Sequence, residues 1–277
     1  LMATYPAMQQ VLNQLLVNDL SEFTERTAKE QARIHELQPY LRAVPGSTSI
    51  ETSILGSSKA AQKLRNQVEQ ASESLVPIQL QAPSGSGKTF LAGLIHSHSG
   101  VADHPFAELD CATLPLDERG DRQTDVLFGS GTDADHPGLL VLLERGTLLL
   151  DNVHLLSGAD RDRLYHYLKT GQVIPTNSSL NSPLTLSQLS PNAATPMPNA
   201  WVRLVLATPA KLDNPRGGAI AIKLFPLTQR KQDIPELAQY FLNKYSRERN
   251  RPPLNLDQAD LRYLISYHYP GNVAELA

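Results

Sequence analysis

The chain has 277 residues, 41% hydrophobic, 19% charged and 6% aromatic, with a formal net charge of −3, which excludes wholesale disorder and suffices for one large domain or two smaller ones. Its most apolar stretch, from Gly138 to Leu150, is broken by Glu144 and Arg145 before spanning length, so no membrane segment is expected. A single cysteine, Cys111, excludes an internal disulfide framework and points to a reducing, cytoplasmic setting, no leader pattern opens the chain, and the slightly acidic balance argues against direct nucleic-acid binding.

In chain order, residues 6 to 42 read as a helix. Leu16, Leu20, Phe23, Ile34, Leu37 and Leu41 fit one alternating three-four seam, interrupted at Thr27 and Glu30, with Pro45 and Gly46 as the stop. Two uses fit that pattern: packing on the chain's own body, or pairing with a second copy as a signalling coiled coil. Ala60, Ala61, Leu64, Val68 and Ala71 then predict a helix over Ser57 to Ser72. A strand Pro77 to Gln81, a turn and a helix Lys88 to Ser97 follow. Next come a strand near Phe106 to Leu109, a helix near Leu139 to Leu143, a strand Thr147 to Leu150, a helix Asp160 to Lys169 and a strand Val202 to Ala207. Strands alternating with helices predict a parallel α/β sheet. After Leu227 the strands stop, and Asp233 to Arg247 and Gln258 to Tyr267 read as a small all-helical piece.

One segment departs from the rest. From Thr170 to Val202 there is no Asp, Glu, Lys or Arg, and Pro175, Pro183, Pro191, Pro196 and Pro198 recur among Ser, Asn and Thr. Such a stretch buries too little apolar surface to offset its ordering entropy. It reads as a flexible insertion over about 175–200, either a plain loop or a functional lid.

Ala82-Pro83-Ser84-Gly85-Ser86-Gly87-Lys88-Thr89 carries the strongest chemical signal. It follows a strand and opens a helix, the context a phosphate loop requires. Gly85 and Gly87 permit backbone angles that turn successive N–H groups toward an anion, and the helix N-terminus adds its dipole. Lys88 places a cation at the β- and γ-phosphates, Thr89 offers a hydroxyl to Mg²⁺, and Ser84, Ser86 and Phe90 complete the nucleotide-facing set. Asp151, ending the apolar strand Thr147 to Leu150, is the expected second Mg²⁺ contact, made through water. The next residue is Asn152, an amide that cannot take a proton from an attacking water. Loss of such a base costs about 10²–10⁴ in rate.

These residues and their order resemble the AAA+ domain of bacterial enhancer-binding proteins, the activators of σ54 RNA polymerase. Ser53-Ile54-Leu55-Gly56-Ser57-Ser58 is similar to the family's N-terminal motif near the adenine. After the phosphate loop come Pro105-Phe106-Ala107-Glu108-Leu109-Asp110-Cys111-Ala112, Leu127-Phe128-Gly129 and Glu144-Arg145-Gly146-Thr147-Leu148-Leu149-Leu150-Asp151. Arg230-Lys231-Gln232-Asp233-Ile234-Pro235 and Tyr269-Pro270-Gly271-Asn272-Val273 close the series. The resemblance covers about residues 50 to 277. It implies a P-loop NTPase core with a C-terminal all-helical lid, ATP or ADP with Mg²⁺ as cofactors, and nucleotide contacts from Ile54, Leu55, Gly56 and the phosphate loop. It further implies three parts: an N-terminal helix and linker over 1–47, dimerising as it does after some sensory domains, an α/β subdomain over 48–226 and a lid over 227–277. The chain stops inside what the family uses as a lid helix, so a longer parent with an upstream sensory domain is expected, assembling as a dimer or a AAA+ ring.

The departures from the family gather at the chemistry. The family's σ54-touching loop follows Leu127-Phe128-Gly129, where this chain has the short, acidic Ser130 to Pro137. Asn152 replaces the catalytic glutamate, and Thr208 stands near the place of a sensor asparagine. Arg216, in a segment too short for the family's arginine-bearing helix, is the only candidate finger there, and Ala274 replaces the second sensor arginine. An arginine finger alone is worth about 10³–10⁵ in phosphoryl transfer. The resemblance therefore implies a module that binds nucleotide, hydrolyses it poorly and lacks the σ54 contact. An active slow ATPase using groups such as His154, Thr208 or Arg216, and a non-catalytic scaffold, are the alternatives. Among weaker signals, His96 and His98 lie on different helix faces and make a poor metal pair. Lys244, Arg247, Arg249 and Arg251 read as a solvated helix end, and Cys111 as inert.

Overall fold

The computed structural model describes residues 30–45, 49–130, 137–176, 201–209 and 219–277. The chain divides into two compact units, Leu1–Tyr40 and Leu41–Ala277. Of the first, residues 30–37 are helical and 38–40 form a turn. The helix expected to reach residue 42 therefore ends at 37. Pro39 explains the earlier stop: it lacks an N–H and disfavours helix in the residue before it. The seam from Leu16 to Thr27 lies outside the described residues.

The second unit is built on five parallel strands in the order β2-β3-β4-β1-β5. These are β1 (Ile78–Gln81), β2 (Phe106–Asp110), β3 (Thr147–Asp151), β4 (Arg203–Thr208) and β5 (Ile220–Lys223). The first four match the expected strands. The fifth does not appear among those read from sequence, because it is short and alternates partly exposed with buried positions, as an edge strand does. In register, β1 pairs Leu80 with Ala207 on one side and with Ile222 on the other. β2 pairs Asp110 with Asp151 of β3. Leu41 bridges to Ala107, and the Arg42 N–H donates to the Phe106 carbonyl at 3.0 Å.

Among the described residues, six helices of five or more residues surround or follow the sheet: α1 (Lys59–Ser72), α2 (Lys88–Ser97), α3 (Gly158–Thr170), α4 (Ile234–Glu248), α5 (Gln258–Ser266) and α6 (Asn272–Leu276). Their ends follow local chemistry. The Ser58 hydroxyl accepts the Ala61 N–H to cap α1, the Ser157 hydroxyl accepts the Asp160 N–H to cap α3, and Gly171 closes α3 in the left-handed region. Asp257 and Asp260 exchange hydrogen bonds as a capping box on α5.

The core forms where α1 and α2 meet the sheet. Leu64, Val68, Ile78, Leu80, Leu94, Ile95, Leu149 and Val205 all belong to it, and each fully buried aliphatic side chain contributes about 1.5–3 kcal/mol. Arg203, at the start of β4, is buried beneath α1 and donates to the carbonyls of Ala71 and Val76. Those carbonyls lie at and beyond the α1 C-terminus, where a cation meets the negative end of the helix dipole. Burial still lowers its guanidinium pKa to about 10. A second, smaller core of Leu227, Ile234, Leu237 and Tyr269 holds the helical C-terminal part together.

The charge-free stretch begins differently from its expected loop character. Val173 and Ile174 are fully buried. Thr176 donates its N–H to the Gly129 carbonyl at 3.1 Å and accepts from Arg163 at 3.0 Å. Its opening residues lack charge because they pack inward. The rest of the expected insertion, 177–200, lies outside the described residues, as do 131–136 and Arg216.

Candidate functional site

The strand order brings the chemical groups together at the carboxyl ends of β1, β2 and β3, where ligands bind in open parallel sheets. β1 runs into the turn 82–87 and then α2. The first residue of the turn, Ala82, donates its N–H to the Thr208 carbonyl at 2.9 Å, which ties the loop to the end of β4. Gly85 and Gly87 take φ of 69° and 99°, values closed to most side chains. Gly87, the N-cap of α2, has no side chain to bond the first N–H groups, which leaves them oriented for an anionic ligand.

Three linked contacts define the electrostatics. Lys88 Nζ lies 2.7 Å from Asp151 Oδ2, with side chains only 11% and 13% exposed. The Thr89 hydroxyl donates to Glu108 Oε1 at 2.8 Å, and Arg42 Nε donates to Glu108 Oε2 at 2.9 Å. Asn152 adopts a left-handed φ of 55°, tolerated best by Asn, Asp and Gly. In that conformation its own N–H donates to Asp151 Oδ1 at 2.8 Å, while its side-chain Nδ2 donates to Asp110 Oδ1 at 2.8 Å. A continuous polar chain therefore runs from Lys88 through Asp151 and Asn152 to Asp110.

These donors suit a hard cation delivered with a polyphosphate. Asp151 and the Thr89 hydroxyl supply oxygen ligands, and Thr89 can keep donating to Glu108 while its lone pair faces a metal. No group of three or more His, Cys, Asp or Glu among the described residues is arranged to hold a metal.

The helical C-terminal part closes the other side. A cleft is lined by Ser84, Gly85, Gly87, Lys88, Thr89, Phe90 and Asp151 from the loop side, and by Val273 and Ala274 of α6 and the following Ala277 from the other. Asn272 spans the junction, accepting the Leu227 N–H at 3.0 Å and donating to the Ser84 carbonyl at 2.8 Å. The Ala274 N–H donates to the Gly85 carbonyl at 3.0 Å. Two carboxylates of the lid hold the segment before α1: Asp233 accepts the Ser58 N–H and hydroxyl at 2.9 and 2.7 Å, and Glu236 accepts the Gly56 N–H at 3.1 Å.

The expected site residues divide into two groups. Ser84, Gly85, Gly87, Lys88, Thr89, Phe90 and Asp151 converge on the cleft. Ser86 turns inward, its hydroxyl donating to the Pro83 carbonyl at 2.6 Å. Ile54 packs into the sheet-side core and Leu55 against the lid core, so this motif straps the two together around Gly56. Thr208 is buried at the end of β4. His154 is exposed on the short turn Val153–Leu155. His96 is buried, bonded to the Thr147 hydroxyl at 2.9 Å and stacked on Phe106, and burial with the nearby Arg203 charge lowers its pKa. Burial pushes the Cys111 thiol up to about 12, consistent with an inert cysteine.

Sequence reasoning assigned no role to Glu108, Asp110, Arg42 or Asn272. For the first two a signal existed: two carboxylates two residues apart on a strand share one face, and that face meets the phosphate loop.

This arrangement defines a AAA+ nucleotide-binding fold: a five-stranded parallel sheet, a phosphate loop after β1, an acidic residue ending β3 and a helical lid. Comparison with known proteins narrows it. A Sigma-54 interaction domain profile matches residues 54–187 and an AAA+ ATPase lid domain profile matches residues 228–277. The Nif-specific regulatory protein of Rhizobium leguminosarum bv. trifolii is 32% identical over 80% of this chain and 62% of its own length. The transcriptional regulatory protein ZraR of Salmonella typhimurium is 28% identical over 93% of this chain and 57% of its own length. Among solved structures, NtrX from Brucella abortus in complex with ATP superposes with a TM-score of 0.65 at 20% identity, covering 95% of this chain and 53% of that one. The chain belongs to the AAA+ family that joins a sigma-54 interaction domain to an AAA+ lid. It spans roughly half to three-fifths of the length of these relatives.

Proposed function

We propose that this chain is an ATP- and ADP-binding regulatory module of a sigma-54-type transcriptional regulator, with slow turnover and without the σ54-contacting loop. The Lys88–Asp151 pair at the mouth of the cleft between phosphate loop and lid supports this reading most directly. A polyphosphate entering the loop offers Lys88 a richer anion than Asp151, which frees Asp151 toward Mg²⁺ beside Thr89. The solved relative bound to ATP is consistent with this use of the fold. Slow turnover follows from Asn152 and Ala274 at positions where the family supplies a base and a sensor arginine. The lid ties at Ser84 and Gly85 give bound nucleotide a direct route to lid angle.

In the same reading the module works in the cytoplasm as a homo-oligomer, a dimer or a ring, under an upstream sensory domain. Direct nucleic-acid contact falls outside this segment. Among the described residues no helix is long and apolar enough to cross a membrane.

Calorimetric titration with ATP and ADP, with and without Mg²⁺, tests the proposal. Both nucleotides bind, and Lys88→Ala weakens binding by about 10–100-fold, the range of a lost hydrogen bond to a charged group. No affinity for either nucleotide rejects the reading. Phosphate release at about 1 s⁻¹ or faster, within the ordinary enzyme range, rejects its slow-turnover part.

A further inference from the structure

The amide at position 152 is not idle. Its Nδ2 donates to Asp110 Oδ1 at 2.8 Å, and Ala112 N–H donates to the same oxygen at 2.9 Å. Among the described residues, both donors therefore fall on one oxygen of the carboxylate, and none of their hydrogen bonds reaches Oδ2. Asp110 ends β2 directly beside Asp151 in the parallel register. A carboxylate thus stands one strand away from the position where an amide has replaced one. The amide orients it.

Resting on the nucleotide-binding reading above, we propose that Asp110 is the proton acceptor for the slow hydrolysis of ATP at this site, with Asn152 as its positioning residue. In the step, the water oxygen bonds to the γ-phosphorus as the bond from that phosphorus to the β,γ-bridging oxygen breaks. The bridging oxygen leaves with the electron pair on ADP, and the water proton passes to Asp110 Oδ2. Lys88 meets the charge that gathers on the departing oxygens. The pair is a carboxylate and an amide facing each other across two strand ends, and exchanging them preserves the hydrogen bond with donor and acceptor reversed.

That symmetry supplies the test. Phosphate release is measured on the full chain under saturating ATP, with ATP affinity measured separately by calorimetry. Asp110→Asn keeps an acceptor for the Ala112 N–H, so the local turn survives. It lowers release about 10²-fold or more, the scale of a lost base, with ATP affinity within about twofold. The double variant Asp110→Asn with Asn152→Asp returns the carboxylate to β3 and recovers release to within about tenfold of the parent, as expected where paired groups act as a unit.

Release at the parental rate in Asp110→Asn overturns the assignment, as does a parent that binds ATP and releases no phosphate. A loss of ATP affinity in the single variant that the double exchange leaves unrepaired makes Asp110 structural and also overturns it. A parent with no affinity for ATP overturns the nucleotide-binding reading itself and this assignment with it.

Discussion

The sheet-side body and the helical lid are built on different physical terms. In the body, β3 and β4 are buried along nearly their whole length, and Leu80, Leu94, Leu149 and Val205 are fully enclosed between α1, α2 and the sheet. In the lid only Leu227, Ile234, Leu237 and Tyr269 form the buried cluster, and α5 has no buried residue. Non-directional burial at about 25 cal/mol per Å² sets the body and leaves it little freedom. The lid depends instead on directional ties: Asp233 to Ser58, Glu236 to Gly56, Asn272 to Ser84 and Ala274 to Gly85. Each such tie contributes about 0.5–1.5 kcal/mol, more where a charge is involved. The lid is thus held to a rigid body by a few exchangeable bonds.

The strongest way to break that contrast is to cut the largest tie. Asp233 is fully buried and holds both polar groups of Ser58, and Arg230 lies beside it. Asp233→Ala should lower unfolding free energy by about 3 kcal/mol, since the buried N–H and hydroxyl of Ser58 both lose a charged acceptor. Urea unfolding measures the loss, and limited proteolysis should cut 234–277 before the body. An unchanged midpoint would show the lid held by its small core alone. Asn272→Ala removes two bonds at once and should cost about 1–2 kcal/mol of lid closure. ADP affinity read by titration would then fall about 5–30-fold, whereas parental affinity would separate the clasp from the site.

The smallest effect belongs to the body. Burial holds the His96 imidazole pKa below 6.5, so below pH 6.5 the unfolded chain binds more protons than the folded one. This stability is fully present above pH 6.5 and falls as pH drops through 6.5 toward the folded value. Unfolding free energies from urea titration at pH 7.5 and 5.5 should differ by about 1 kcal/mol or less on that account. His96→Gln should flatten that component. A parent whose stability rises on acidification past 6.5 would contradict it.

The body was the more readable part. Apolar runs such as Leu148-Leu149-Leu150 and Leu204-Val205-Leu206 announce buried strands, and the phosphate loop marks its own turn and helix, which begins at Lys88 as expected. Helix ends depended on single residues: Pro39 stopped the first one five residues before the expected end. What could not be read was mutual position. Asp233 and Ser58 lie 175 residues apart, and no local pattern pairs them. Asp110 and Asn152 meet only because β2 and β3 are neighbours in the sheet order, a fact of topology. The departures at Asn152 and Ala274 were visible as residue types, yet what stands beside each became apparent only in the fold.

One small contact reaches further than its size. The Ala274 N–H sits in the first turn of α6, where no helix carbonyl is available to it, and its proton is held instead by the Gly85 carbonyl. A side chain at Gly85 would place its Cβ 2.1 Å from the Gly271 carbonyl oxygen, so the seam tolerates no spacer. Each opening of the lid must therefore release that single amide to solvent. Its hydrogen-exchange rate is a built-in clock for lid opening, readable in the unlabelled protein, and slowing of that clock by ATP against ADP would measure which nucleotide shuts the lid.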